Sequence, residues 1–187
     1  MSWPTWLGCS CVKTNKTINI RPSSSTDAAA VFALYRAVAD IPGGLARLSF
    51  EISMDYVEHF LHAATTRGVG FVAVESGPSG EEIVAEIHGY SPEIFCFSHV
   101  LTDLTIAVTP RQQGSGLGRR LFSHFLRAVD EQRPHISRIE LFARESNTRA
   151  LAFYESLGFE REGAFRDRVL NSDGSLESDI PMARLRT

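Results

Sequence analysis

The chain has 187 residues, 43% of them hydrophobic, with a formal net charge of −3. That is enough chain for one domain with a sizeable core, and the charge argues against a basic surface for nucleic acid or membrane. Three cysteines (Cys9, Cys11 and Cys96) are too few for a disulfide scaffold and fit a reducing, cytoplasmic setting, and no apolar run approaches the roughly 20 residues of a membrane helix.

Residues 1–17 lack the basic and apolar regions of a signal peptide and are expected to form a loosely ordered extension; residues 18–187 then make a single domain. Ile18–Arg21 reads as a strand stopped by Pro22. Ser25, Thr26 and Asp27 offer caps for a helix whose stripe is Val31, Phe32, Tyr35 and Val38, broken at Ile41-Pro42-Gly43-Gly44. Ser53 caps a second helix burying Met54, Val57, Phe60, Leu61 and Ala64. His59 and His62 lie on this helix, but no third ligand is near, so no metal site is expected.

Gly70–Glu75 and Ile83–Tyr90 are strands joined by a turn at Gly77-Pro78-Ser79-Gly80. Alternation puts Ile83, Ala85 and Ile87 on one side of the second strand. Val84, Glu86, His88 and Tyr90 fall on the other, expected to be exposed. Ser91–His99 is an aromatic-rich connection or strand extension. In the next strand, with Asp103 near its start, Leu104, Ile106 and Val108 alternate with Thr105 and Ala107 up to Pro110. Leu117, Leu121, Phe122, Phe125, Leu126 and Val129 then recur at helical spacing. Arg138–Ala143 is a strand, Thr148–Leu157 a helix closed by Gly158, and Phe159 to about Leu170 a strand. A turn at Asn171-Ser172-Asp173-Gly174 leads to a last strand over about Glu177–Arg184. The order βααβββαβαββ implies a mixed α/β fold, with antiparallel hairpins against a parallel crossover.

Gly114, Gly116 and Gly118 therefore sit between a strand and a helix. Glycine lets backbone approach a ligand, and a helix start offers unpaired N–H groups at its positive end. Tight packing of helix on sheet would explain a glycine cluster too. The motif lacks the Lys-Ser/Thr ending of a P-loop and the G-x-G-x-x-G spacing of a dinucleotide fingerprint.

Gln113-Gly114-Ser115-Gly116-Leu117-Gly118 resembles the Gln/Arg-x-x-Gly-x-Gly/Ala signature of the GNAT N-acyltransferase superfamily. Asn147-Thr148-Arg149-Ala150-Leu151-Ala152-Phe153-Tyr154-Glu155-Ser156-Leu157-Gly158-Phe159 resembles that family's later helix. The resemblance implies a strongly twisted mixed sheet with helices on both faces, and acetyl-CoA as cofactor. It implies pyrophosphate on the stretch Gln113, Gly114, Ser115, Gly116, Leu117, Gly118 and Arg119. Pantetheine would lie along Ile106, Ala107 and Val108, and Asn147 would cap its helix or touch the cofactor. It further implies a sulfur-facing Tyr154, a carboxylate at Asp103, and association as a homodimer.

Acetyl transfer to an amine needs a neutral amine, donors for a developing oxyanion and a proton for the leaving thiolate. Tyr154 is the acid candidate. Asp103, Glu86 and His88 are the candidates for the base, with a water chain as the alternative. The expected activity is N-acetyl transfer to an amine of a small molecule or peptide by direct attack in a ternary complex. A silent acyl-CoA-binding sensor is the rival.

Overall fold

The computed structural model describes residues 16–41, 44–78 and 80–186. Nearly all of the expected N-terminal extension, with Cys9 and Cys11, lies outside the described residues, as do Pro42, Gly43 and Ser79 of two expected turns.

The strands are β1 (Thr17–Pro22), β2 (Gly68–Gly77), β3 (Gly80–Tyr90), β4 (Val100–Val108), β5 (Arg138–Arg144), β6 (Glu160–Arg161), β7 (Phe165–Leu170) and β8 (Leu176–Leu185). The helices are α1 (Ala28–Ala39), α2 (Met54–Arg67), α3 (Leu117–Gln132) and α4 (Thr148–Glu155). One sheet holds the strands in the order β1-β2-β3-β4-β5-β8-β6, with β7 also on β8. The expected strand from Phe159 to Leu170 is thus divided. Gly163, with φ of +150°, interrupts it, although both pieces pair with β8.

Each face of the sheet carries its own core. On one, Leu117, Leu121, Phe122 and Phe125 of α3 pack over Phe71, Ile87 and Leu141. On the other, Val31, Leu34 and Tyr35 of α1 and Val57, Phe60 and Leu61 of α2 pack over Val72, Val74 and Ala107. Ser53 starts α2 as expected, its Oγ accepting from the Tyr56 N–H at 3.1 Å.

Two irregularities place the site. The β2–β3 register shifts between Ala73 and Val74, pairing Ala73 with Ala85 but Val74 with Ile83. Val84 is the extra residue, so it joins Ala85 and Ile87 in the α3-side core, while Ile83 turns toward the α1 side. This reverses the expected sides of Ile83 and Val84, because a bulge changes the parity of a strand. The second shift lies between His88, opposite Thr105, and Tyr90, opposite Thr102. The extra residue is on β4, where Asp103 adopts φ of +49°.

Beyond that bulge β4 leaves its neighbour. The parallel β4–β5 pairing comprises Val100 with Arg138 and Leu101 with Ile139. From Thr102 onward the two strands diverge and a cleft opens between them.

Candidate active site

Backbone polarity fixes what β4 offers this cleft. The Thr109 N–H donates to the Val84 carbonyl at 2.9 Å, toward β3. Backbone groups alternate along an antiparallel strand, so those of Ala107 also face β3, while those of Ile106 and Val108 face the cleft. Ala107 is fully buried as well, which leaves Ile106 and Val108 to meet a ligand.

After β4, the chain turns through Pro110–Gln112 into the glycine loop. Gly114 and Gly116 have φ of +79° and +86°, conformations that penalise a side chain. A Cβ at Gly116 would meet nothing within 4 Å, so packing does not require glycine there. Gly116 is the N-cap of α3 and has no side chain to cap it; of the helix's N–H groups, Ser115 Oγ meets only that of Leu117, at 3.3 Å. The helix's first N–H groups and positive dipole end therefore suit an anion. The guanidinium of Arg149 lies 3.9 Å from a Cβ built at Gly114, adding a positive charge beside the loop. An open strand edge running into a glycine-lined helix start fits pantetheine followed by pyrophosphate.

The other loop side chains hold the loop itself. Gln113 Nε2 donates to the Val108 carbonyl at 3.1 Å. Ser115 Oγ donates to the Gln112 carbonyl at 2.7 Å and accepts from the Leu117 N–H at 3.3 Å. Arg119 donates to Ser156 Oγ at 2.7 Å and stacks on Phe153, joining α3 to α4. The Leu117 side chain is buried in the core.

The cleft has two compartments. One, of about 540 Å³, is bounded by Val108, the glycine loop, Arg149 and Phe153. The other, of about 500 Å³, is bounded by Arg47, Tyr56, His88, Tyr90, Asp103 and Arg144. Ile106, Asn147, Ala150 and Tyr154 border both. Asn147 Oδ1 accepts from the Ala150 N–H at 3.0 Å, so it caps α4 at this junction. Tyr154 packs its ring near Phe122, Phe153 and Phe159. Burial pushes its hydroxyl up to about 12, so the proton stays on at neutral pH.

Of the base candidates, Asp103 is exposed and borders the second compartment. Glu86 and His88 do not lie on an exposed face: Glu86 is 0% and His88 2% exposed. Tyr35 of α1 and Phe60 of α2 cover that side of β3. The Tyr35 hydroxyl donates to Glu86 Oε2 at 2.6 Å, and the His88 ring stacks on Phe60 at 4.0 Å. His88 nevertheless reaches the wall of the second compartment.

A model of the acetyltransferase (GNAT) family matches residues 37–159, about two-thirds of the chain. The chain belongs to the GNAT family. Among relatives, the [ribosomal protein bS18]-alanine N-acetyltransferase of Escherichia coli K12 is 34% identical over 90 residues, which cover 46% of this chain and 60% of that protein. A GNAT acetyltransferase structure from Streptococcus pneumoniae superposes with a TM-score of 0.78 at 19% identity, covering 91% of this chain and 100% of that one. An acetyltransferase from Salmonella typhimurium, solved with acetyl-CoA, gives 0.73 at 20% identity, covering 90% and 94%. The GNAT architecture read from the two motifs is therefore the one observed.

Within this GNAT fold, four residues near the site have no functional role in the sequence pattern. Arg149 was visible in the second motif but had no assigned role. Tyr35 read as one more apolar stripe position. Glu75 and Arg111, whose side chains meet at 2.7 Å beside the turn before the glycine loop, carry no local signal.

Proposed function

We propose that the chain transfers an acetyl group from acetyl-CoA to a primary amine of a small molecule or peptide, by direct attack in a ternary complex. The observation that carries this reading is the junction of two compartments at Ile106 and Tyr154. One offers backbone edge and helix amides, the other a polar acceptor chamber. A sensor that only binds acyl-CoA needs no second chamber.

Acetyl-CoA supplies an acyl group already activated as a thioester, so the protein needs no nucleophile of its own. Gly114, Gly116, Gly118 and Arg149 would hold its phosphates, and the Ile106 and Val108 backbones its pantetheine. Tyr154 keeps its proton at neutral pH and offers a hydrogen bond at the junction, where charge on a departing sulfur would collect. The amine must be neutral when it attacks; Asp103 and His88 border the chamber it would occupy, and Glu86 lies behind His88.

The relatives include enzymes named for acetylating a ribosomal-protein alanine, so a peptide N-terminus belongs among the first acceptors to try. The test is a screen of an alanyl peptide, a polyamine and free amino acids with acetyl-CoA, following thiol release. Acetyl-CoA binding without turnover of any amine would replace catalysis by the sensor reading.

No helix among the described residues is long and apolar enough to cross a membrane, and no group of three metal-ligating side chains is found among them. We assign the protein to the cytoplasm, on its sparse cysteines. We expect a homodimer, supported by Leu170 and Leu176, 68% and 55% exposed on the terminal hairpin.

A further inference from the structure

Three polar side chains form a buried cluster behind the acceptor compartment: Tyr35 on α1, and Glu86 and His88 on β3. Their exposures are 0%, 0% and 2%. Glu86 Oε1 and Oε2 lie 3.2 and 3.1 Å from His88 Nδ1. Oε2 also receives the Tyr35 hydroxyl at 2.6 Å, which is itself 3.4 Å from His88 Nδ1. Among the described residues no Lys or Arg pairs with Glu86; His88 is its ion-pair partner. A carboxylate shut into a core this way is costly unless something nearby takes a positive charge.

The geometry pairs Nδ1 with a carboxylate. With an acceptor on that side Nδ1 carries the hydrogen, and the neutral ring leaves its lone pair on Nε2. Nε2 has no hydrogen-bond partner among the described residues. Nor is it sealed: the buried side-chain atoms lacking a partner there are Ser91 Oγ and Arg144 Nε. His88 borders the acceptor compartment, so that lone pair opens toward it.

We infer that His88 accepts the acceptor's proton at Nε2, with Glu86 and Tyr35 as positioning residues behind it. This rests on the acetyl-transfer reading above. One N–H bond of the ammonium breaks, and its proton binds Nε2 directly or across one water. The amine keeps the electron pair it needs for attack. The imidazolium sits 3.1 Å from Glu86, which balances it. Tyr35 fixes the carboxylate by its hydrogen bond, and its own hydroxyl is pushed far up by burial and by Glu86, so it donates and does not ionise. The proton then leaves from Nε2 to water.

Other charged or titratable groups face the same compartment. α2 brings Tyr56, which carries the Arg47 guanidinium over its ring at 4.1 Å; His59, also on α2, does not line the compartment but contacts the Tyr90 ring. The loop before α2 brings Glu51, β3 brings Tyr90, β4 brings Asp103, β5 brings Arg144 and β7 brings Arg168. Asp103, exposed at the bulge, attracts the ammonium and so acts on acceptor binding.

The test has two arms on the full chain. Nitrogen-15 NMR of histidine-labelled protein reads the tautomer without any acceptor: His88 is expected with hydrogen on Nδ1 and a bare Nε2. A ring protonated on Nε2 alone would overturn the inference. The kinetic arm uses the amine turned over best in the acetyl-CoA screen. His88→Gln should lose about 10²-fold in kcat/KM together with the acidic limb of its pH profile. Glu86→Gln should move that limb to lower pH, because the imidazolium has lost its counter-charge. Tyr35→Phe should lower kcat and leave the KM for acetyl-CoA unchanged. Asp103→Asn should raise the KM for the amine and keep the limb. A folded His88→Gln retaining over a third of kcat/KM with its limb intact refutes the assignment, and if that variant does not fold, the wild-type tautomer decides. Absence of any turnover alongside a bare Nε2 counts against the acetyl-transfer reading and leaves the cluster's geometry standing.

Discussion

Arg111, in the turn after β4, reaches back across the sheet to set Nη1 2.7 Å from Oε2 of Glu75 on β2. Gln112 donates to the other oxygen of the same carboxylate at 2.7 Å, and Lys16 donates at 2.8 Å. Glu75 is 5% exposed, and the Lys16 ammonium and the Arg111 guanidinium hold it down to about 2 from 4.5. One buried acid thus braces the turn that leads into the glycine loop.

Glu75→Gln removes the charge and keeps the shape. Acetyl-CoA affinity should fall roughly three- to tenfold, about 0.7–1.4 kcal/mol, by calorimetry, because loop amides are no longer held in place. The stabilisation from this depressed acid is present above its unfolded value and is lost as pH falls from about 5 toward 2. Acid unfolding of the wild type should therefore be steeper there than that of the variant. Equal affinity in both proteins would show that the loop holds itself.

Gly116→Asp tests the loop directly. It forces a side chain onto φ of +86° and puts a negative charge at the helix start. Acetyl-CoA binding should weaken at least tenfold, about 1.4 kcal/mol. An unchanged dissociation constant in a folded variant would remove the loop from the site.

Tyr154→Phe keeps the ring against Phe122 and Phe159 and removes one O–H. Fold and cofactor affinity should persist while turnover drops roughly 10²–10⁴-fold. The loss should appear in kcat more than in the KM for acetyl-CoA, since the bond strengthens only as charge develops. If turnover stays above about a third of wild type with chemistry rate-limiting, Tyr154 is a packing residue.

Gly89 lies in β3 opposite the bulge of β4. A Cβ there would come 2.4 Å from Leu101 Cδ2 and 3.2 Å from the Phe125 ring. Gly89→Ala should cost about 1–3 kcal/mol by overpacking, read as a lower melting temperature. A melting point within a degree of wild type would mean the core on the α3 side yields freely.

What could be read from the chain was local. The strand-to-helix junction at Gly114–Gly118, the Ser53 cap and the stripe of α3 are each specified by residues a few positions apart. Parity was lost at Val84 and Asp103, because a bulge inserts one residue without any side-chain mark. The burial of Glu86 and His88 depends on Tyr35, 51 and 53 positions away, so alternation alone made them look solvated. Glu75 is similarly 36 positions from Arg111. Residue types therefore nominated the acids and the imidazole, and packing decided which of them touch.

The short β4–β5 pairing has a practical consequence. Past Leu101 one side of an interior strand pairs with no neighbouring strand, and Gln113 meets only its Val108 carbonyl, which leaves the property that makes an edge strand adhesive. Purified protein without a ligand should be prone to self-association through that seam, worst when warmed. Coenzyme A in the storage buffer should cover it and raise the melting temperature in proportion to the logarithm of its concentration.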